Sequence, residues 1–378
     1  MPFAPGHDGW VLLNPGPACT SPRVRAAQLR GDLCHREEEF GQLLLGLHAK
    51  LRAALDLPST YGAVTLAGSG TAIVEAAVTS LVRPGHALAV VANGVYGERV
   101  AQMARVHEIP LVEIRVHWTE EPPLDSIAAA LAEHPEVDAV VAVHHETTTG
   151  RLNPVAEIGA LAHRAGALFV LDAISSLGCD ELDVAAVGVD AVLGSSNKGF
   201  HGTPGLSFAL LSPLALERME DVTPRSLYLH LGRYLKPQER GDVPFTPAIQ
   251  TCYALDEALD ELAERGGVAA RVEDYGRRAS LVREGMARLG IARLLPHDAP
   301  LSNALTAFKL PQGFTYEALH DALKEHGYII YAGQGHLGSD VFRIANMGEL
   351  TLAALRDFLA VLESVLHSRL VQAPTPIA

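Results

Sequence analysis

The feature that most constrains the fold is a regular alternation of short apolar runs and helical segments between residues 60 and 211. The apolar runs are each about seven residues or fewer, a typical strand length, and segments with helical periodicity separate them; they lie at 61–67, 86–92, 110–116, 137–144, 168–171, 191–193 and 206–211. This alternation predicts an α/β fold with a mostly parallel, doubly wound sheet. In such a sheet the carboxyl ends of the strands share one edge, where ligands bind.

A lysine lies at one of these strand ends. The stretch DAVLGSSNKGFHGTPG places Lys198 after an apolar run and among small residues and glycines. Because these neighbours neither cover nor solvate an ammonium group, we expect the pKa of Lys198 to be depressed. A lysine that loses its proton is a nucleophile that forms imines with carbonyl compounds. The alternative is a surface lysine on a glycine-rich hairpin.

A carboxylate ends the neighbouring strand. The run Leu168-Phe169-Val170-Leu171 is continuously apolar, as in a strand buried on both faces, and it ends at Asp172. An aspartate there can pair with a protonated pyridine nitrogen, the partnership found in pyridoxal phosphate sites. The alternative is that Asp172 caps a following helix.

Other polar groups follow the remaining strands. Gly68-Ser69-Gly70-Thr71 precedes a helix and predicts a site for a single phosphate group at the helix N-terminus. Tyr96 follows the next strand and is placed to stack on an aromatic ring. The run HHETTTG, residues 144–150, brings three threonine hydroxyls to a strand end. Its histidine pair and glutamate have no further ligand at usable spacing, so we predict no metal site.

The second half of the chain has a different pattern. Residues 221–245 are polar and predict a loop, and Gly266-Gly267 is the best linker. We therefore divide the chain into a large domain, residues 1–266, whose N-terminal segment packs near the site, and a smaller α+β domain, residues 267–378. In the smaller domain Arg343 interrupts an apolar strand. A buried arginine needs an anion, either a substrate carboxylate or phosphonate or the side chain of Glu349.

Composition excludes several classes of function. The net charge is −14, which argues against nucleic acid and anionic membranes as partners. No apolar run is long enough to cross a bilayer, and the N-terminus has no signal-peptide pattern. The four cysteines are scattered without metal-site spacing, which predicts reduced thiols and a cytoplasmic protein.

Taken together, the motifs resemble those of a known family. The chain is similar to the fold-type I, pyridoxal phosphate-dependent aminotransferases of class V, and most of all to those that act on aminophosphonates. The resemblance runs from about residue 10 to 365, and the matching segments are LLNPGP, REEEFG, GSGT, NGVYGER, HHETTTGRLNP, LDAISSLG, SSNKGFHGTPGLSF and FRIANMG.

This resemblance implies a reaction and a set of roles. The reaction would move the amino group of 2-aminoethylphosphonate to pyruvate, giving phosphonoacetaldehyde and L-alanine. Lys198 would bind pyridoxal phosphate as an imine and then move the proton, Asp172 would hold the pyridine nitrogen, and Tyr96 would stack on the ring. Ser69, Gly70 and Thr71 would hold the phosphate, Thr147 the ring-hydroxyl side, and Arg343 the acid group of either substrate. A homodimer is implied, with Thr246 reaching the phosphate of the partner subunit.

Two other functions remain open from the sequence. One is a related class V aminotransferase with another aminophosphonate, or an alanine- or serine-type donor, and glyoxylate or pyruvate as acceptor. The other is a non-catalytic protein of the same fold. For the phosphonate we expect help from Arg36 or from an arginine of the 225–240 segment.

Overall fold

The computed structural model describes residues 10–372, with side chains described to residue 368. Most of the N-terminal stretch that we examined for a signal peptide, and the last residues of the predicted small domain, lie outside the described residues. The helices are α1 Pro22–Ala27, α2 Glu38–Ala54, α3 Gly70–Leu81, α4 Val95–Val106, α5 Leu124–Glu133, α6 Val155–Arg164, α7 Val184–Val187, α8 Pro213–Glu220, α9 Leu231–Gln238, α10 Ile249–Glu264, α11 Gly267–Arg288, α12 Tyr316–Glu325 and α13 Leu352–Gln372. The strands are β1 Val11–Leu12, β2 Gly62–Ala67, β3 Ala87–Ala92, β4 Leu111–Arg115, β5 Val137–Val143, β6 His145–Glu146, β7 Arg151–Leu152, β8 Leu168–Asp172, β9 Ala191–Ser195, β10 Leu206–Leu211, β11 Leu305–Lys309, β12 Tyr328–Ile329, β13 Tyr331–Ala332 and β14 Val341–Ala345.

A seven-stranded sheet forms the centre of the molecule. Its order is β2-β10-β9-β8-β5-β3-β4. The strands β9, β8, β5, β3 and β4 pair in parallel, whereas β10 is antiparallel to both of its neighbours. The predicted mostly parallel sheet is thus confirmed, and the carboxyl ends of β2, β3, β5, β8 and β9 lie along one edge.

Helices cover both faces of this sheet, so the sheet is doubly wound as predicted. On one face, leucines and isoleucines of α2, α5, α6 and α10 pack on the strands, with Leu44, Ile127, Ile158 and Leu255 fully or almost fully buried. On the other face α3 and α4 pack through an equally apolar cluster. Burial on both faces explains why β3, β5 and β8 are continuous apolar runs rather than alternating patterns.

The C-terminal part forms a separate small sheet. Strands β11, β14 and β13 pair antiparallel, and α11, α12 and α13 pack around them. Near the start of the chain, β1 pairs in parallel with β12, so the N-terminal segment joins this part of the molecule. The boundary between residues 266 and 267 falls between α10 and α11, and the division into two domains there stays a prediction.

One local prediction was wrong. Residues 231–238, which we expected to be loop, form α9 and bury Leu231, Tyr234 and Leu235. The helix has only about two turns and holds Pro237 near its end, and these features hide a helical period in a sequence pattern. Among the described helices, none is both long and apolar enough to cross a membrane.

Candidate functional site

A cavity of about 360 Å³ opens at the carboxyl edge of the large sheet. Six of the residues predicted from the sequence line it together, although they lie in or next to four separate loops: Ser69, Gly70, Thr71, Tyr96, Asp172 and Lys198. The loops follow β2, β3, β8 and β9, whose ends the parallel topology brings side by side. The sheet therefore assembles the site that the strand-end argument predicted.

Lys198 reaches this cavity from the turn after β9. Its Nζ donates a hydrogen bond to the carbonyl oxygen of Pro15, in the N-terminal segment. Gly16 lies so close that a Cβ atom there would be 2.6 Å from the Lys198 Nζ, and its φ of +111° is accessible mainly to glycine. The surrounding protein excludes water, and this desolvation lowers the pKa of Lys198 to about 8. The direction of this shift is the one expected from the sequence, and the N-terminal segment contacts Lys198 through Pro15 and Gly16.

Asp172 is the last residue of β8 and is buried. Its Oδ1 accepts a hydrogen bond from the backbone N–H of Ile174 at 3.1 Å. Burial raises the pKa of the carboxyl to about 6, so it is ionised at neutral pH without an ion-pair partner among the described residues. The alternative role as a helix cap is excluded, because the next helix, α7, is capped by Asp183.

The start of α3 forms the opposite end of the cavity. Ser69 is the N-cap residue, but its side chain makes no capping hydrogen bond, so the N–H groups of the first turn have no side-chain cap. A Cβ at Gly70 would lie 2.7 Å from Cδ1 of Ile174, so any larger residue would have to displace that side chain. These features fit an anion held by backbone N–H groups.

Arg99 is a cavity residue that the sequence analysis missed. Its Nη1 donates to Oγ1 of Thr71 at 3.3 Å, and its guanidinium lies 4.9 Å from the ring centroid of Tyr96. It follows Tyr96 by three residues on α4, hence on the same helix face. That spacing is the signal that could have found it.

Several buried polar atoms after β5 lack a protein partner, among them one on His145, which lines the cavity, and one on Thr147, which does not. The Nδ1 of His145 lies 3.2 Å from the carbonyl oxygen of Ser175; because a carbonyl can only accept, Nδ1 carries the proton and Nε2 is an acceptor. That Nε2 atom and Oγ1 of Thr147 have no hydrogen-bond partner in the protein. Buried polar atoms are normally paired, so both fit a polar group of a bound molecule.

A metal does not fit here. In the part of the chain that the structure describes, no group of three or more His, Cys, Asp or Glu side chains is arranged to hold a metal ion. Glu146, next to His145, instead accepts hydrogen bonds from the backbone N–H and hydroxyl of Thr148, at 3.1 and 2.6 Å.

Arg343 lies on β14 and is only 3% exposed. Its Nε donates to the carbonyl oxygen of Ala332, and its Nη1 donates to the carbonyl oxygen of Thr147 and to Oε1 of Gln334. The alternative ion pair with Glu349 is wrong, because Glu349 pairs with Arg265 at 2.8 Å. The contact with Thr147 brings this arginine of the small sheet next to the large sheet's ligand edge.

Thr246 and the arginines expected to help with the phosphonate lie elsewhere. Thr246 is exposed and belongs to a small depression lined by Tyr228, Tyr234 and Phe245, outside the lining of the Lys198 cavity. Arg36 is exposed and pairs with Asp242 at 2.7 Å. Arg225 donates to the carbonyl oxygen of Val82. Among the arginines of residues 10–368, it is Arg99 that lines the cavity itself.

Comparisons with known proteins agree with this geometry. A family model described as "Aminotransferase class-V" matches residues 23–350. A protein of Vibrio cholerae serotype O1 named 2-aminoethylphosphonate--pyruvate transaminase is 36% identical over 95% of this chain and 98% of its own length. A protein of Salmonella typhimurium with the same name is 35% identical over 95% of this chain and 98% of its own length.

Solved structures give the same result for the fold. An aspartate aminotransferase of subgroup IV from Thermus thermophilus has a TM-score of 0.86 at 30% identity, covering 94% of this chain and 99% of its own. An alanine--glyoxylate aminotransferase from Nostoc sp. has a TM-score of 0.89 at 27% identity, covering 97% of each chain.

Proposed function

Since the chain belongs to the class V aminotransferases, we propose that it transfers the amino group of 2-aminoethylphosphonate to pyruvate, giving phosphonoacetaldehyde and L-alanine. The family and the fold predicted from the sequence are confirmed. The observation that carries the proposal is the meeting of Lys198 and Asp172 in one cavity, in a chain that aligns over 95% of its length with transaminases of that name.

The residues present fit pyridoxal phosphate. When bound, this cofactor supplies a carbonyl carbon for amines and a ring that accepts the electrons of the bond broken at the substrate carbon. In the proposal Asp172 holds the pyridine nitrogen, because a buried carboxylate stabilises a protonated ring nitrogen. Tyr96 lies against the ring, and Thr147, whose Oγ1 has no protein partner, contacts the ring-hydroxyl side.

One end of the cavity suits the phosphate group of the cofactor. We assign it to Ser69, Gly70 and Thr71 at the start of α3, where N–H groups and the helix dipole favour an anion. Arg99 adds the positive charge that the sequence analysis did not provide, since its Nη1 is held at Thr71. The distance between this end and Asp172 is set by the sheet, because the two lie after β2 and at the end of β8.

Lys198 is the group that handles the proton. With a pKa of about 8, part of the population is neutral at pH 7.5, so the amine can act as a nucleophile and later as a base. The carbonyl oxygen of Pro15 orients Nζ, since it accepts one of its hydrogens. The N-terminal segment thereby reduces access of water to the amine.

Arg343 is assigned to the acid group of both substrates. It is buried, and its three protein acceptors are neutral, so its charge has no counter-ion within residues 10–368. A phosphonate or a carboxylate would provide that counter-ion. Because both substrates carry one, a single arginine can serve each half of the reaction in turn.

The assembly and the setting belong to the proposal as well. We assign a homodimer in which Thr246 reaches the phosphate of the partner subunit. Thr246 is exposed, and it does not line the Lys198 cavity of its own chain. The exposed side chains of Leu227 and Tyr228 lie in the same region of the sequence and supply apolar surface for such contact. The four free cysteines fit the predicted cytoplasmic location.

The test is a half-reaction without keto acid. The purified, cofactor-loaded protein is mixed with 2-aminoethylphosphonate, and its visible absorbance and the release of phosphonoacetaldehyde are followed. Loss of the yellow colour with release of that aldehyde, and return of the colour on adding pyruvate, supports the proposal. Lys198→Ala is the control and should neither show the change nor turn over.

Two other results would point to the alternatives. A response to alanine or serine but not to the phosphonate would retain the aminotransferase chemistry and reject the phosphonate as donor. A protein that never becomes coloured with pyridoxal phosphate would support the non-catalytic alternative.

A further inference from the structure

The hydrogen bonds of Arg343 leave a specific set of donors free. A guanidinium has five N–H groups, and three of them are used: one on Nε by Ala332 and two on Nη1 by Thr147 and Gln334. The two hydrogens on Nη2 have no acceptor among the described residues. A bidentate acid group needs two nitrogens of the fork, so one of the three acceptors must give way when an anion binds.

Gln334 is the acceptor that can move. The acceptors at Ala332 and Thr147 are backbone carbonyls, fixed by β13 and by the buried loop after β6. Gln334 contributes a side-chain oxygen, 2.9 Å from Nη1, and is only partly buried. Because arginine cannot accept a hydrogen bond, the amide oxygen must face it, and the amide nitrogen Nε2 has no acceptor among residues 10–368.

The backbone beside Gln334 is held in place. The next residues form a short 3-10 turn, Gly335–Leu337, and the ring of His336 lies 4.2 Å from that of Trp118. Trp118 in turn donates to Glu98 of α4 at 2.8 Å. The turn is therefore joined through Trp118 to the helix that carries Tyr96 and Arg99, which favours motion of the Gln334 side chain over motion of its backbone.

We propose that Gln334 is a specificity-determining residue that distinguishes a phosphonate from a carboxylate at Arg343. An incoming anion displaces Oε1 from Nη1 and takes the fork formed by Nη1 and Nη2. A carboxylate has two oxygens, and the fork satisfies both. A phosphonate has a third oxygen, and the released amide turns so that Nε2 donates to it. The inference rests on the proposed function, since it assumes that the substrates place their acid groups at Arg343.

Charge supports the same conclusion. A neutral amide leaves the full positive charge of Arg343 for the ligand, whereas an acidic residue in its place would neutralise it. Glu146, the buried acid whose charge acts on Arg343, is hydrogen-bonded to Thr148 instead. Arg343 therefore selects for an anion, and the Gln334 amide distinguishes one anion from another.

The test uses two ligands that differ only in the acid group. Ethylphosphonate and propanoate lack the amine and cannot react, so their dissociation constants on the loaded wild-type protein, Gln334→Ala and Gln334→Glu can be measured by calorimetry. Gln312→Ala is the matched control, because Gln312 is an exposed glutamine on a turn of the same part of the molecule. Half-reaction rates with 2-aminoethylphosphonate and with alanine give a second measurement on each variant.

For Gln334→Ala we expect ethylphosphonate to bind about tenfold more weakly, since one hydrogen bond to a charged oxygen is lost. The dissociation constant of ethylphosphonate should rise about fivefold or more relative to that of propanoate. For Gln334→Glu we expect both anions to bind at least tenfold more weakly, because the new carboxylate pairs with Arg343. An unchanged ratio in Gln334→Ala, or a loss equal for both ligands, overturns the inference. The half-reaction tests the proposed function separately. If wild-type protein does not react with 2-aminoethylphosphonate, the proposed function is rejected whatever the binding ratio is.

Discussion

Nε2 of His201 lies 2.8 Å from the hydroxyl of Tyr275, and the backbone N–H of Gly348 donates to the same hydroxyl at 2.8 Å. His201 is in the turn that follows Lys198, whereas Gly348 lies just after the strand of Arg343. Burial lowers the pKa of His201 well below its ordinary value, so the ring that meets the tyrosine hydroxyl is neutral. One buried hydroxyl thus joins the lysine turn to the arginine strand.

Removing this hydroxyl should affect position as well as stability. Tyr275→Phe leaves two buried groups unpaired, and we expect a loss of about 2 kcal/mol in the free energy of unfolding. Because the lysine turn and the arginine strand then shift independently, we also expect the KM for both substrates to rise at least threefold. Denaturant unfolding and steady-state kinetics measure the two effects.

Tyr316→Phe is the matched control for that prediction. Its hydroxyl donates to the carbonyl oxygen of Ile330 at 2.9 Å, within the C-terminal part of the molecule. It should cost about 1 kcal/mol of stability and leave the KM values unchanged. Equal KM changes in the two variants would show that Tyr275 has no role in positioning.

The depressed pKa of Lys198 predicts how cofactor uptake by the cofactor-free protein depends on pH. Only the neutral amine reacts with the aldehyde, so with a pKa of about 8 the neutral fraction falls about fivefold between pH 8 and pH 7. Above about pH 9 the rate should level off. A lysine of ordinary pKa would instead give a rate that still rises about sevenfold between pH 9 and pH 10. Stopped-flow absorbance after mixing with pyridoxal phosphate between pH 6 and pH 10 distinguishes the two profiles.

The sequence predicted most of the large sheet and its site because both depend on one pattern. Strands buried on both faces are continuous apolar runs, and the groups at their ends share one edge, so Asp172 and Lys198 could be placed together without coordinates. The same reasoning placed Tyr96 and the start of α3. The depressed pKa of Lys198 followed from the size and polarity of its neighbours.

What the sequence missed depends on contacts between distant segments. The carbonyl oxygen of Pro15 reaches Lys198 across 183 positions of the chain, and Thr147 reaches Arg343 across 196. Local patterns carry no information on such pairs. Arg99 was different, since its position one helical turn after Tyr96 was visible and was not used.

Arg99 should affect the cofactor's phosphate and little else. Arg99→Ala removes a positive charge next to Thr71, and we expect the affinity for pyridoxal phosphate to fall about tenfold, while that for pyridoxal, which has no phosphate, changes less than twofold. Equilibrium titration of the cofactor-free protein with each compound measures both. Arg105→Ala, on the same helix but paired with Glu113, should bind both compounds as wild type does. Equal losses for the two compounds in Arg99→Ala would place the arginine away from the phosphate.

Glu146 should make the protein less stable as the pH rises through the weakly acidic range. Burial raises the pKa of its carboxyl from 4.5 to about 7, so between these values the folded protein holds a proton that the unfolded chain has released. The free energy of unfolding then falls as the pH rises, by about 1.1 kcal/mol per pH unit on average from this group between pH 5 and pH 6.5.

Glu146→Gln isolates that effect. The amide cannot titrate, so the slope of stability against pH between pH 5 and pH 6.5 should become less negative by about 1.1 kcal/mol per pH unit, corresponding to roughly 0.8 of a proton. A constant offset from the contact with the Gly97 N–H, 3.4 Å from Oε2, would move the whole curve without changing its slope. Glu136→Gln is the control, because that carboxyl is exposed and its pKa is lowered, so it has already ionised in this range. Parallel curves for wild type and Glu146→Gln would mean that Glu146 stays ionised, and that its hydrogen bonds from Thr148 outweigh the cost of burying the charge.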